Sequence, residues 1–215
     1  MKSYEKLILG LGVSVFFLLF VSGCEKPHLS GTETEEIDIS RDPLQTPNPS
    51  GEPIIKEIEN GHLTLTPVAE YRVSGVVVSK KSYNGGWESQ ISTYDLAIVW
   101  GKLAEPAYDK YIEYWQNNRW YFFRYKEASP FDHSYVVTHS GNHHTIPANY
   151  NVRKALESIQ KDEKVILEGS LVNVKGTYRG KPVFWNTSLS RNDTGSGSCE
   201  VFYVSKVRID TRVYE

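Results

Sequence analysis

Three histidines, two asparagines and a serine fall within one stretch, HSGNHHTIPAN, from His139 to Asn149. Imidazole is a zinc ligand and carries protons near neutral pH. His139 and His143 are four residues apart, a spacing that converges on one ion when the backbone is helical. Here Gly141 and Asn142 intervene and Thr145-Ile146-Pro147 follows, which is the composition of turn and extended chain. No CxxC or HExxH spacing accompanies the cluster. The stretch therefore reads as a polar loop without metal or other cofactor, closed by Pro147 and leading into a helix. A second polar stretch, SLSRNDTGSGSCE, runs from Ser188 to Glu200. Arg191 and Asp193 are suited to pair with each other or to hold a ligand's carboxylate and hydroxyl. Gly195 and Gly197 permit tight turns and close ligand approach. His139, Asn142 and His144 would meet Arg191, Asp193 and Glu200 in one cleft, as a binding or acid/base site.

Cys199 is the candidate thiol. A histidine, a later cysteine and then an arginine resemble the order found in sortase-type transpeptidases, in which histidine pairs with the thiolate and arginine stabilises an oxyanion. The setting differs, because this cysteine lies in GSGSCEV. On one continuous strand, Cys199 and Arg208 would also point to opposite faces. A small buried hydrophobe is the plainer reading of Cys199.

These residues need elements to position them, and the elements read mostly as strands. Tyr71–Tyr83 is β-branched, Asn84–Gly86 marks a turn, and Arg119–Tyr125 is a short aromatic strand. Lys164–Gly176 changes its apolar side at Gly169-Ser170, which suggests a bulge or bend. Cys199–Ile209 would place Cys199, Val201, Tyr203, Val207 and Ile209 on one face, with Glu200 on the more polar face. Two helices are expected. Glu105–Gln116 begins with Pro106 in its first turn, and Tyr108, Tyr111, Ile112 and Trp115 share a face. Asn151–Gln160 is capped by Asn149 or Asn151. The fold class is α+β and β-rich: a small curved sheet or OB-like barrel with two short helices.

The N-terminus, MKSYEKLILGLGVSVFFLLFVSGC, has a basic head, an apolar core and small residues before Cys24. That core has the length of a signal peptide, roughly 7–15 residues. The pattern resembles a bacterial lipoprotein signal, which implies cleavage before Cys24 and acylation of its sulfur. Acyl chains then hold the protein to membrane lipid. Glu25 follows the cysteine, which favours the outer membrane under the sorting rule implied by the resemblance. With Cys24 lipidated, Cys199 has no partner for an internal disulfide. The expected organisation is a signal peptide over 1–23, the lipidated cysteine and a Pro-rich acidic tether over 24–60, and one globular domain over 61–215. A formal charge of −2 offers no basic excess for nucleic acid.

Three motifs, YDLAIVWG, HSGNHHTIPAN and SLSRNDTGSGSCEVFYV, resemble in order those of an uncharacterised family of bacterial envelope-associated proteins. The shared patterns are DLAxxWG, HSxNxHxIPA and SLSRxDxGxGxCE. They match Asp95, Trp100, Gly101, His139, Ser140, Asn142, His144, Pro147, Arg191, Asp193, Gly195, Gly197, Cys199 and Glu200. His143 falls at a position where the pattern accommodates other residues. The resemblance implies an envelope location and no particular activity. Two functions are carried forward. One is a membrane-anchored binding or assembly domain that engages an envelope protein or a small-molecule ligand. The other is an envelope hydrolase or transferase using His144 with Asp193, Glu200 or Cys199.

Overall fold

Apolar residues recur at every second position in long stretches of the chain, and the strands they form curl around one core. The computed structural model describes residues 25–47, 49, 51–126, 128–190 and 198–215. Cys24, Arg191 and Asp193 lie outside these residues, as do Gly195 and Gly197. In chain order, β1 is Gly31–Thr32, β2 Leu44–Pro47, β3 Ile54–Ile58 and β4 Gly61–Ser82. A short helix, α1 (Glu88–Ile91), precedes β5 (Tyr94–Val99). Two 3₁₀ turns, Gly101–Ala104 and Pro106–Tyr111, lead to β6 (Ile112–Asn117) and β7 (Trp120–Tyr125). Then come α2 (His133–Thr138), β8 (Ser140–Pro147) and α3 (Tyr150–Ser158). The chain ends with β9 (Lys164–Tyr178), β10 (Lys181–Trp185), β11 (Glu200–Ile209) and β12 (Arg212–Tyr214).

Strand pairing closes a ring. β4 pairs with β5, β5 with β8, β8 with β11, β11 with β9, and β9 with β4. Only the β8–β11 pair is parallel, and α3 connects β8 to β9. Numbered by themselves, the ring strands run 1-2-3-5-4-1, with a helix between the third and fourth. This is a five-stranded OB-type barrel, as the α+β, β-rich reading anticipated. Curvature comes from irregular pairing. Ser205 is the extra residue of a bulge in β11, and Val68 of one in β4. Gly169 faces the β11 bulge at φ 156°, where a Cβ would strike the Tyr203 carbonyl.

The barrel interior holds Tyr71, Leu96, Trp100, Leu167, Phe202 and Ile209, with Leu156 and Ile159 closing it beside α3. A second apolar cluster lies outside the barrel, where Leu63, Leu65, Val172, Val174 and Val201 meet Trp87. Lys164–Gly176 therefore does not change side at a bend. Val165, Leu167 and Leu171 fill the barrel, while Val172 and Val174 cover the second cluster with the other face of the same strand. The Ser205 bulge does change the parity of β11. Val201 belongs to the outer cluster, whereas Val207 and Ile209 face inward.

Several expectations are corrected. Asn151–Gln160 forms its helix as α3, and Asn149 is the cap, its side chain accepting from the Val152 N–H at 2.9 Å. Glu105–Gln116 is no helix: a 3₁₀ turn gives way at Ile112 to a strand. Its aromatic and branched residues find cross-strand partners in β7, and Trp115 stacks on Phe122 at 5.5 Å. HSGNHHTIPAN is not a loop. Ser140–Pro147 is a central barrel strand with a partner on each side. The segment expected as a tether is laid against the domain. Ile37 is buried, β1 pairs with β12, β2 and β3 pair with β4, and Glu33 binds Arg208 at 2.8 Å. Its proline spacing keeps it extended, and extended chain can also add to sheet edges. Among the described residues no helix is long and apolar enough to cross a membrane.

Candidate functional site

The outer barrel face of β5 and β8 carries polar residues between the cluster around Trp87 and a third apolar cluster, in which Ala97 and Val99 meet Ile112 and Val136. Antiparallel register sets Asp95 opposite His144 and Ala97 opposite Asn142. Alternation along the strands then turns Asp95, Asn142 and His144 to the same, outer face. Asp95 is 0% exposed, so its carboxylate needs partners. Arg119 supplies one: its guanidinium lies 2.7 Å from Asp95 Oδ1. The other is His144, whose Nδ1 stands 2.9 Å from Oδ2, off the line of a well-directed hydrogen bond.

Arg119 reaches this position from the turn of the β6–β7 hairpin. Asn118 and Arg119 both have positive φ, 49° and 66°, as a tight two-residue hairpin turn requires. The guanidinium also donates to the Ser92 carbonyl at 2.8 Å, and it packs over the Tyr83 ring at 4.2 Å. Trp185, at the end of β10, covers both cation and imidazole: 5.4 Å to Arg119 and 4.6 Å to His144. The Tyr83 hydroxyl accepts the Arg119 backbone N–H at 3.0 Å. Burial pushes the Tyr83 phenol up and the Asp95 charge adds to it, while that N–H bond and the Arg119 charge oppose the shift. The ensemble pins the hairpin turn against the barrel.

Beside this cluster lies a cleft of about 470 Å³, within the usual range of ligand pockets, roughly 300–1,000 Å³. One wall is β7, through Trp120, Phe122 and Tyr125; the other is α2, through His133. Asn142, Ser198 and Cys199 complete its lining. Asn142 is itself held in place. Its amide donates to the Arg119 carbonyl at 3.1 Å and approaches Cys199 Sγ at 3.5 Å, while its oxygen accepts from Gln116 at 2.6 Å. No Lys, Arg, Asp or Glu is among the described residues that line the cleft.

The expected site residues are only partly brought together. His144 and Asn142 share the outer face, and Cys199 adjoins Asn142. Cys199 is half-buried at the cleft rather than sealed in a core, which corrects the plainer reading of the thiol. His139 lies apart at the end of α2, stacked on Tyr135 at 3.8 Å with its Nδ1 against the Tyr135 carbonyl at 3.0 Å. His143 points into the barrel, where its Nε2 stands 3.2 Å from the Tyr71 hydroxyl. Adjacent strand positions face opposite ways, so His143 and His144 cannot share a ligand. Glu200 is also inside, corrected from the polar face: it approaches Gly141 beside His143 and Trp100. Among the described residues no three His, Cys, Asp or Glu side chains are placed to share a metal ion.

Asp95, Arg119, Tyr83 and Trp185 were not among the expected site residues. Asp95 had a signal, as the lone charge in the apolar run YDLAIVW. Asn117-Asn118-Arg119 between two aromatic strands was the signal for the turn. Comparison of the chain with protein-family models, with curated proteins and with solved structures returned no match.

Proposed function

We propose that this protein is a lipid-anchored binding or assembly protein of the bacterial envelope, whose barrel takes a ligand in the cleft between β7 and α2. One observation carries the reading: exposed aromatic side chains of the hairpin flank a concave site with no Lys, Arg, Asp or Glu among its described lining residues, and its polar reader, Asn142, is fixed in advance by three contacts. Fixing a recognition group before binding lowers the ordering cost of the complex. The lipoprotein-like N-terminus and the envelope-family motifs support the location, with acylated Cys24 as the link to membrane lipid.

Hydrolase or transferase chemistry is the second reading, favoured by the approach of Asp95 to His144 Nδ1. A hydrogen bond between them would orient the imidazole and fix its tautomer. Against it, His144 is only 3% exposed, is covered by Trp185, and does not line the cleft. Glu200 is turned into the barrel and gives His144 no help.

Cys199 provides the assay. In a Cys24→Ala protein it is the single remaining thiol, and it lines the cleft. Soluble fragments of the bacterial envelope are expected to slow its reaction with a thiol reagent, and Trp120→Ala should abolish the protection. If no envelope fraction protects Cys199, the binding reading is wrong. Protection together with turnover that disappears in His144→Ala would put the enzymatic reading first. The same Cys24→Ala change should release the protein from membranes, and retained acyl labelling in that variant would refute lipidation at Cys24.

A further inference from the structure

The β6–β7 hairpin is a two-stranded sheet of its own, so β7 has no second strand partner among the described residues. Pairing phase decides which of its backbone groups are open. Asn117 and Trp120 flank the two-residue turn and form the hydrogen-bonded pair beside it. Alternation makes Trp115–Phe122 and Glu113–Arg124 bonded pairs as well. The Lys126 N–H, donating to the Tyr111 carbonyl at 2.9 Å, continues the same phase. The N–H and C=O groups of Tyr121, Phe123 and Tyr125 therefore point away from β6. All three residues line the cleft.

An open strand edge is a template for another chain, and proteins usually blunt it with proline, lysine, a bulge or a charge aimed across it. β7 has none of these. Its one charged residue, Arg124, is committed to Glu113 at 2.6 Å, on the hairpin face that also bears Trp115 and Phe122. The cleft beside the edge is also lined by Ser140, Gly141 and Asn142, and no Lys, Arg, Asp or Glu is among its described lining residues. Three outward-facing residues, an aromatic flank and a described lining without acidic or basic side chains match the needs of an added strand. Main-chain bonds would hold it, and alternate side chains would enter the cleft.

We propose that β7 recruits an extended, uncharged, partly aromatic peptide segment of another envelope protein, pairing with it edge to edge. This rests on the cleft being the binding site. The test uses the full mature protein. Random uncharged heptapeptides are selected against it by display, and the best is measured by amide hydrogen exchange of the protein. The expected result is protection of the Tyr121, Phe123 and Tyr125 amides by tenfold or more, with Phe122 and Arg124 unchanged. Methylating alternate backbone nitrogens of the peptide should remove both binding and protection. A selected peptide that binds without protecting those amides, but is lost in Trp120→Ala, keeps the cleft and overturns edge pairing. Neutral oligosaccharides that bind where no peptide does, again lost in Trp120→Ala, overturn the peptide class alone. If neither peptide nor oligosaccharide binds, the cleft reading falls with the proposal.

Discussion

Arg119→Met tests the central electrostatic argument. Methionine keeps the length of the side chain and removes its charge. Asp95, 0% exposed, would then be left with His144 alone. A carboxylate in that position cannot regain water by a small movement. Removing one partner of a buried ion pair destabilises by about 3–5 kcal/mol. Side-chain exposure of Arg119 is 19%, too little for solvent to replace the lost pair. The loss is a large share of a typical domain stability of about 5–15 kcal/mol. At this chain length it lowers the melting temperature by about 10 °C. Urea unfolding followed by tryptophan fluorescence would measure it, since Trp185 lies over the pair. Asp95→Asn combined with Arg119→Met removes both charges and should recover about 2 kcal/mol relative to Arg119→Met alone. An Arg119→Met protein within about 1 kcal/mol of the parent, with no recovery in the double variant, would refute the reading of Asp95 as a desolvated charge held by Arg119.

Two further predictions concern a glycine of the barrel and the buried tyrosines of the β6–β7 hairpin. Gly169→Ala should cost about 3 kcal/mol or more, because the new Cβ would strike the Tyr203 carbonyl. Gly180→Ala, also at positive φ but with open space around it, should cost only about 1 kcal/mol; equal losses in urea unfolding would mean that the clash is not what matters. Burial raises the phenols of Tyr114 and Tyr121, so the fold favours their neutral form. Their contribution is intact below the unfolded tyrosine value of about 10 and is lost as pH rises above it. The urea midpoint should fall between pH 9 and 11, less steeply in Tyr121→Phe, and parallel curves would remove Tyr121 from the account.

Local signals were enough wherever one residue's neighbours in sequence are also its neighbours in space. Asn149 and the 3.6-residue spacing of Val152, Ala155 and Leu156 specify α3 with no outside help. Alternating branched residues specify much of β4, β9 and β11. HSGNHHTIPAN misled for a physical reason. In a strand with one face inside a barrel and the other beneath a hairpin, polar side chains are allowed wherever a tertiary partner satisfies them. His143 has Tyr71 and Asn142 has Gln116 and Arg119, while His144 lies against Asp95 and beneath Trp185. None of those partners is near in sequence. Ile112–Asn117 is likewise a strand because β7 offers cross-strand partners, although its pattern also fits a helical face. The sequence by itself determined the α+β, β-rich class and the helix that follows Pro147, while the choice of Asn149 over Asn151 as its cap came from the structure. Tertiary structure alone decided that Arg119 meets Asp95, that Glu200 turns inward and that Cys199 opens on the cleft. Each of those outcomes depends on register between distant strands, and a shift of one residue would reverse it.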